Sequence, residues 1–117
     1  MKKTKAQTIC CFLMKHHRGP ENVIQTRQLQ SYFDLDTRSL RRIVHSLRCK
    51  GVPICSDGNG YYVAKIEDDL ENTIAHLNSR IEKMADARNG LLKAVGAMGS
   101  GDGFSIKVVV KLQNEKM

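Results

Sequence analysis

The sequence predicts a mainly helical protein with a small β-hairpin, followed by a long coiled-coil-like helix and a C-terminal β-strand. Three observations predict this fold class. Apolar residues recur at helical spacing in the first half of the chain. Two β-prone segments flank the turn sequence Asp-Gly-Asn-Gly at residues 57–60. From residue 70 onward, apolar residues alternate in steps of four and three, which is typical of coiled coils.

A chain of 117 residues allows one compact domain and a short appendage. We expect a helix-rich domain over residues 1–65, a long helix over 66–98 that joins copies of the chain, and a flexible linker with a β-strand over 99–117. No segment approaches the roughly 20 apolar residues that span a bilayer. The N-terminus lacks the features of a secretory signal, so we expect a cytoplasmic protein that does not contact membranes.

The first part of the chain predicts two helices separated by a short strand. The first helix covers residues 6–18 and ends at Gly19-Pro20. A brief apolar segment at residues 23–24 allows one small strand. The second helix covers residues 27–33, with Thr26 as its N-cap. Its core residues and those of the first helix are expected to be Ile9, Phe12, Leu13, Leu29 and Phe33.

A third helix has the clearest periodicity in this part of the chain. Asp36 or Thr37 is expected to cap its start, and Gly51 stands just past its end, where a left-handed cap belongs. The β-hairpin follows, and we expect Tyr61 and Tyr62 to lie on opposite faces, one in the core and one at the surface. The apolar side of the third helix consists of Leu40, Ile43, Val44 and Leu47.

Charge is distributed unevenly along the chain. Residues 1–65 carry twelve basic and four acidic side chains, whereas residues 66–99 carry four basic and six acidic ones. This asymmetry favours a polyanionic partner for the first part of the chain, with simple solubility as the alternative.

The outward side of the third helix is entirely basic. No acidic residue occurs between Thr37 and Lys50, and Arg38, Arg42 and His45 point away from the apolar side on a helical wheel. Arginine reads guanine in the major groove and binds phosphates, so this side favours DNA binding over plain solvation or binding to an acidic protein. The hairpin either adds contacts to DNA or only covers the core. The residues expected to contact DNA are Thr37, Arg38, Arg41, Arg42, His45, Arg48, Lys50 and Asn59.

Residues 29–63, LQSYFDLDTRSLRRIVHSLRCKGVPICSDGNGYYV, carry a family resemblance. The short second helix, Leu35 in the turn, Thr37 and Arg38 at the start of the third helix, and the hairpin tip at residues 58–62 match. This segment resembles the biotin-repressor-type winged helix-turn-helix, as found in small phage and prophage DNA-binding proteins. The resemblance, which covers residues 6–65, implies a transcriptional regulator of double-stranded DNA whose third helix enters the major groove.

The long helix predicts self-association. Its secure part covers residues 68–88, because Gly90 and Gly96 weaken the pattern beyond that point. We expect a homodimer or a higher homo-oligomer, with folding of this helix back onto its own domain as the alternative. The residues expected to form the oligomer interface are Leu70, Ile74, Leu77, Ile81, Met84 and Leu91.

The C-terminal tail has the alternating pattern of a strand with one apolar face. It covers residues 104–112 and follows a glycine-rich linker. A lone strand leaves its backbone groups unpaired, so we expect it to add to a sheet in another copy or in a partner protein. A disordered tail is the alternative.

No motif of a known catalytic or cofactor site occurs in the chain, so we expect no enzymatic activity and no cofactor. The four cysteines contain no C-x-x-C pair, which favours reduced thiols over a bound metal. An alternative function remains open: a replication or packaging accessory, or a host-factor-binding protein, that uses the same domain as an interaction module.

Overall fold

The structure is a computed structural model that describes residues 3–99. It is mainly helical, with a small three-stranded antiparallel sheet and a long helix at the end of the described chain, which confirms the predicted fold class at this level. The helices are α1 (Lys5–His16), α2 (Thr26–Phe33), α3 (Thr37–Cys49) and α4 (Asp68–Gly99). The strands are β1 (Ile24–Gln25), β2 (Ile54–Ser56) and β3 (Gly60–Val63), and a short 3₁₀ helix spans Pro20–Asn22.

Polar side chains fix the starts of α1 and α3. Thr4 and Gln7 form a capping box, in which the Gln7 amide donates to the Thr4 hydroxyl at 3.1 Å and the Thr4 amide donates to the Gln7 side chain at 2.8 Å. At α3, the Ser39 amide donates to the Asp36 carboxylate at 2.7 Å. Of the two caps that the sequence allowed for α3, Asp36 is the one used.

The predicted cap of α2 is wrong. Gln25 holds the N-cap position and Thr26 is already the first helical residue. Thr26 instead bonds the hairpin: its amide donates to the Asn59 carbonyl at 3.1 Å and its hydroxyl donates to the same oxygen at 3.4 Å. The physical reason is that β1 pairs with β3 immediately before α2, which brings Thr26 to the hairpin turn.

The sheet has the order β1-β3-β2, so β2 is an edge strand. Ile54 pairs with Val63 and Ser56 with Tyr61. Gly60 permits the approach of β1, because a Cβ at this position would overlap the Ile24 carbonyl. The expected hairpin is therefore the larger part of a three-stranded sheet.

One apolar core joins the first three helices to one face of the sheet. Phe12, Phe33 and Ile43, which the sequence also assigns to the core, are partly buried against it. The buried residues of this core are Ile9, Leu13, Ile24, Leu29, Leu40, Val44, Leu47, Ile54 and Val63.

The other face of the sheet is also covered, which corrects the expectation for the hairpin tyrosines. Tyr61 is partly buried against the main core, whereas Tyr62 is buried in a second cluster with Cys55 and Ala64. Leu70 at the start of α4 packs against this second cluster. The two tyrosines thus lie on opposite faces of the sheet, as predicted, but neither is fully exposed, because the start of α4 packs on the face that Tyr62 occupies.

Helix α4 continues through Gly90 and Gly96 to Gly99, well beyond the predicted secure part. The chain divides into two compact units between His76 and Leu77, whereas the sequence places the end of the first domain at residue 65. The first turns of α4 therefore belong to the first unit.

Within residues 3–99, no helix combines the length and the apolarity needed to cross a membrane. Of the predicted linker and strand at residues 99–117, Gly99 is the last residue of α4, and the rest lies outside the described residues.

Candidate nucleic-acid interface

Buried side chains set the rotation of α3 about its own axis. Leu40, Val44 and Leu47 are almost fully enclosed in the core. Since these residues recur at helical spacing, the opposite side of α3 is directed to solvent. The helix is also fixed at its start, where the Gln30 side chain of α2 donates to the Thr37 hydroxyl at 3.0 Å.

The exposed side of α3 brings most of the predicted DNA contacts together. Arg38, Arg41, Arg42 and His45 are all exposed. With Thr37 they line a shallow open depression of about 530 Å³. Four nitrogen-rich side chains thus share one surface, and no acidic residue lies in α3 itself.

The nearest acidic residue along the described chain is Asp36, whose carboxylate caps the N-terminus of α3. The backbone amide and the hydroxyl of Ser39 hydrogen-bond its carboxylate and hold the pKa of Asp36 below its ordinary value, with a smaller contribution from Arg42. Its charge therefore stays at the N-terminus of α3, where it also complements the helix dipole.

His45 and Cys49 form a pair one turn apart on α3, with the Cys49 sulfur 3.5 Å from the His45 Nε2. Both residues are exposed. This contact orients the imidazole along the helix next to the arginines.

Arg48, which the sequence also assigns to the DNA contacts, does not line this depression. Its Nε donates to the Ile54 carbonyl at 2.9 Å, and its second guanidinium nitrogen donates to the Ser56 hydroxyl at 3.3 Å. The guanidinium is therefore turned toward β2, because this edge strand offers acceptors that no neighbouring strand uses. Sequence reasoning missed this role, since the acceptors belong to a later segment of the chain.

Lys50 and Asn59 are exposed outside the α3 depression. Lys50 is the C-cap of α3, and its amide donates to the Leu47 carbonyl at 3.1 Å. Asn59 lies in the hairpin turn, which the Asp57 carboxylate holds by accepting from the amides of Asn59 and Gly60 at 3.0 and 3.1 Å. Asp57 thus has a structural task in the turn.

Comparisons with protein-family models, with curated proteins and with solved structures gave no match. The function is therefore inferred from the residues and the charge of the site. Among residues 3–99, no group of three or more His, Cys, Asp or Glu side chains is arranged to hold a metal ion.

The predicted oligomer residues fall into two groups. Leu70 packs against the cluster formed by Cys55, Tyr62 and Ala64 within the first unit. The other five are exposed side chains on α4: Ile74, Leu77, Ile81, Met84 and Leu91.

Aromatic residues on α1 and α2 form a surface patch that sequence reasoning did not identify. Tyr32 is 70% exposed and stacks on Phe12, with ring centroids 4.8 Å apart. Phe12 also contacts the rings of His16 and His17. The only sequence signal was Tyr32 itself, an aromatic residue beside the apolar positions of a short amphipathic helix.

Proposed function

We propose that this protein binds double-stranded DNA through the exposed side of α3, as a small winged helix-turn-helix regulator of the phage or prophage type. The observation that carries the proposal is the cluster of Arg38, Arg41, Arg42 and His45 on one side of a helix without acidic residues. A helix about 10–12 Å across fits a major groove about 12 Å wide.

The arrangement suits both parts of DNA recognition. Arginine forms bidentate hydrogen bonds with guanine, and it also binds backbone phosphates as a permanent cation. Because buried leucines and the bond between Gln30 and Thr37 hold α3 in place, its basic side chains are organised before DNA arrives.

Supporting contacts are assigned to the ends of the site. Lys50 at the end of α3 and Asn59 at the tip of the hairpin are exposed and chemically suited to phosphate oxygens. In this proposal the hairpin is the wing. Arg48 is left out of the DNA contacts, since its guanidinium bonds β2.

Selection of bound duplexes from a random library, followed by affinity measurements, tests the proposal. Arg38→Ala, Arg42→Ala and His45→Ala should each weaken binding by about 1–3 kcal/mol if the residue contacts a base. If the residue contacts a phosphate instead, its removal should make the slope of log affinity against log salt concentration shallower by about one. Lys93→Ala is the matched control, because it removes one positive charge from an exposed position in the second unit.

The result decides the function directly. A regulator should prefer its selected site over random duplex by roughly 10³-fold or more. If the triple variant Arg38→Ala, Arg42→Ala, His45→Ala binds DNA as the parent does, the assignment of α3 to the groove is wrong.

A second candidate function rests on the aromatic patch around Phe12 and Tyr32. Exposed stacked aromatic residues are common in protein interfaces, so this patch favours an interaction module for replication, packaging or a host factor. Such an accessory would bind duplex DNA without a preferred site. Tyr32→Ala would then abolish partner binding and leave the affinity for random duplex unchanged.

A further inference from the structure

Helix α4 presents a long apolar stripe to solvent. Ile81 is 63% exposed and Met84 is 72% exposed, although side chains of this kind usually lie in a core. The stripe available to a partner begins at Ile74, because Leu70 packs against the cluster that contains Tyr62 and because Thr73 is buried. The exposed members of the stripe are Ile74, Leu77, Ile81, Met84, Leu91, Val95 and Met98.

The stripe separates two classes of residue over more than three heptads. One set of heptad positions, called a, holds β-branched residues with one exception, and the other, called d, holds unbranched or γ-branched ones. The a positions are Ile74, Ile81, Arg88 and Val95, and the d positions are Leu77, Met84, Leu91 and Met98. β-Branched residues at a with leucine at d favour two parallel strands.

We propose that the stripe of α4 pairs with the same stripe of a second copy as a parallel, in-register, two-stranded coiled coil that begins at Ile74. In this arrangement each layer stacks a residue on its own counterpart, so the β-branched and leucine layers stay separate. An antiparallel pair would instead set a residues against d residues and lose the benefit of this separation.

Arg88 sets the register of the pair. It is the single charged residue among the a positions of residues 74–98. A polar residue at one a position fixes the alignment and number of the strands, because any shifted register buries the charge against apolar residues of the partner helix. This specificity has a cost in the stability of the pair. In the single chain its guanidinium bonds the neighbouring Asn89 side chain at 3.3 and 3.4 Å.

This pairing does not depend on DNA binding, although the two fit together. In a parallel coiled coil, the first units of both copies are connected to the same end of the coil. A twofold-symmetric DNA site offers two equivalent half-sites, one for each copy. Failure of DNA binding would leave the coiled coil intact, and failure of pairing would leave the basic side of α3 unchanged.

Equilibrium disulfide pairing tests the orientation. The full chain carries Leu91→Cys in a background in which Cys10, Cys11 and Cys49 are replaced by alanine, and it is equilibrated in a glutathione buffer. Parallel pairing brings the two introduced thiols into the same layer, within the roughly 7 Å between Cα atoms that a disulfide allows. We expect a covalent dimer from this variant and none from Lys93→Cys, whose position lies outside the a and d sets.

Sedimentation provides the second measurement. Leu77→Asp with Ile81→Asp should reduce the dimer mass to that of one chain, while Ala75→Asp with Ser79→Asp, at exposed positions outside the stripe, should leave it unchanged. A dimer that fails to cross-link through Leu91→Cys would be antiparallel and would overturn the proposal. A parent that sediments as one chain would overturn it as well.

Arg88→Leu tests the register residue separately. Removal of the buried charge should lower the dissociation constant of the dimer by about tenfold or more and allow higher oligomers. An unchanged dissociation constant and an unchanged oligomer would place Arg88 outside the interface and overturn its role in setting the register.

Discussion

Thr73 and Ser56 exchange two hydrogen bonds. The Ser56 amide donates to the Thr73 hydroxyl at 3.2 Å, and the same hydroxyl donates to the Ser56 carbonyl at 3.4 Å. One side chain of α4 thus satisfies both backbone groups of a residue on the edge strand β2. Thr73 is only 5% exposed, so water does not readily replace it.

Loss of the Thr73 hydroxyl should therefore destabilise the first unit. Thr73→Val keeps the shape of the side chain but leaves the Ser56 amide and carbonyl without their partner, at an expected cost of about 1–3 kcal/mol. Thr73→Ser retains the hydroxyl and is the matched control. Urea denaturation measures the free energy of unfolding of both variants, and equal transition midpoints would contradict this role of the Thr73 hydroxyl.

Arg48 should contribute to stability rather than to DNA affinity. Its guanidinium bonds the carbonyl of Ile54 and the hydroxyl of Ser56, so Arg48→Ala should cost about 1–3 kcal/mol of folding free energy. Arg42→Ala removes the same charge from the exposed side of the same helix and should leave the unfolding midpoint nearly unchanged. Equal loss of stability in the two variants would show that the bonds to β2 contribute nothing.

The cap of α3 should give stability a specific pH dependence. Hydrogen bonds from Ser39 lower the pKa of Asp36 in the folded protein, whereas an aspartate in an unfolded chain titrates near about 3.9. The contribution of the cap is therefore present above the unfolded pKa and is lost as the pH falls through the folded pKa.

Two variants separate this charge effect from capping. At neutral pH, Asp36→Ala should lower the urea midpoint, while Asp36→Asn should lower it less because asparagine also caps helices. The stability difference between the parent and Asp36→Asn should shrink as the solution is acidified from neutral to strongly acidic pH. A difference that is constant over this range would show that the Asp36 carboxylate does not titrate differently on folding.

Two glycines should respond in opposite directions to alanine. A Cβ at Gly60 would overlap the Ile24 carbonyl and push β1 away, so Gly60→Ala should cost about 1–3 kcal/mol. A Cβ at Gly90 meets nothing within 4 Å in α4, so Gly90→Ala should raise helix stability by about 1 kcal/mol. Thermal unfolding followed by circular dichroism distinguishes them, and a neutral Gly60→Ala would contradict the close approach of β1.

The sequence by itself determined the elements whose residues interact locally. The spacing of Leu40, Val44 and Leu47 predicted both α3 and its buried side, and therefore also the exposure of Arg38 and Arg42 on the other side. The hairpin followed from its turn residues for the same reason. In each case the residues of one segment are enough, because side-chain direction along a helix and the conformation of a tight turn both depend on local backbone geometry.

Only the tertiary structure decided which residues bond the edge strand β2 and which pack on the second face of the sheet. The sequence assigns Arg48 to the DNA contacts of α3 and Leu70 to the oligomer interface of α4. Both are instead used within the first unit, at β2 and at the Tyr62 cluster. Unpaired backbone groups on β2 and the open face of the sheet need partners, and those partners come from segments whose positions the periodicity of any single segment does not specify.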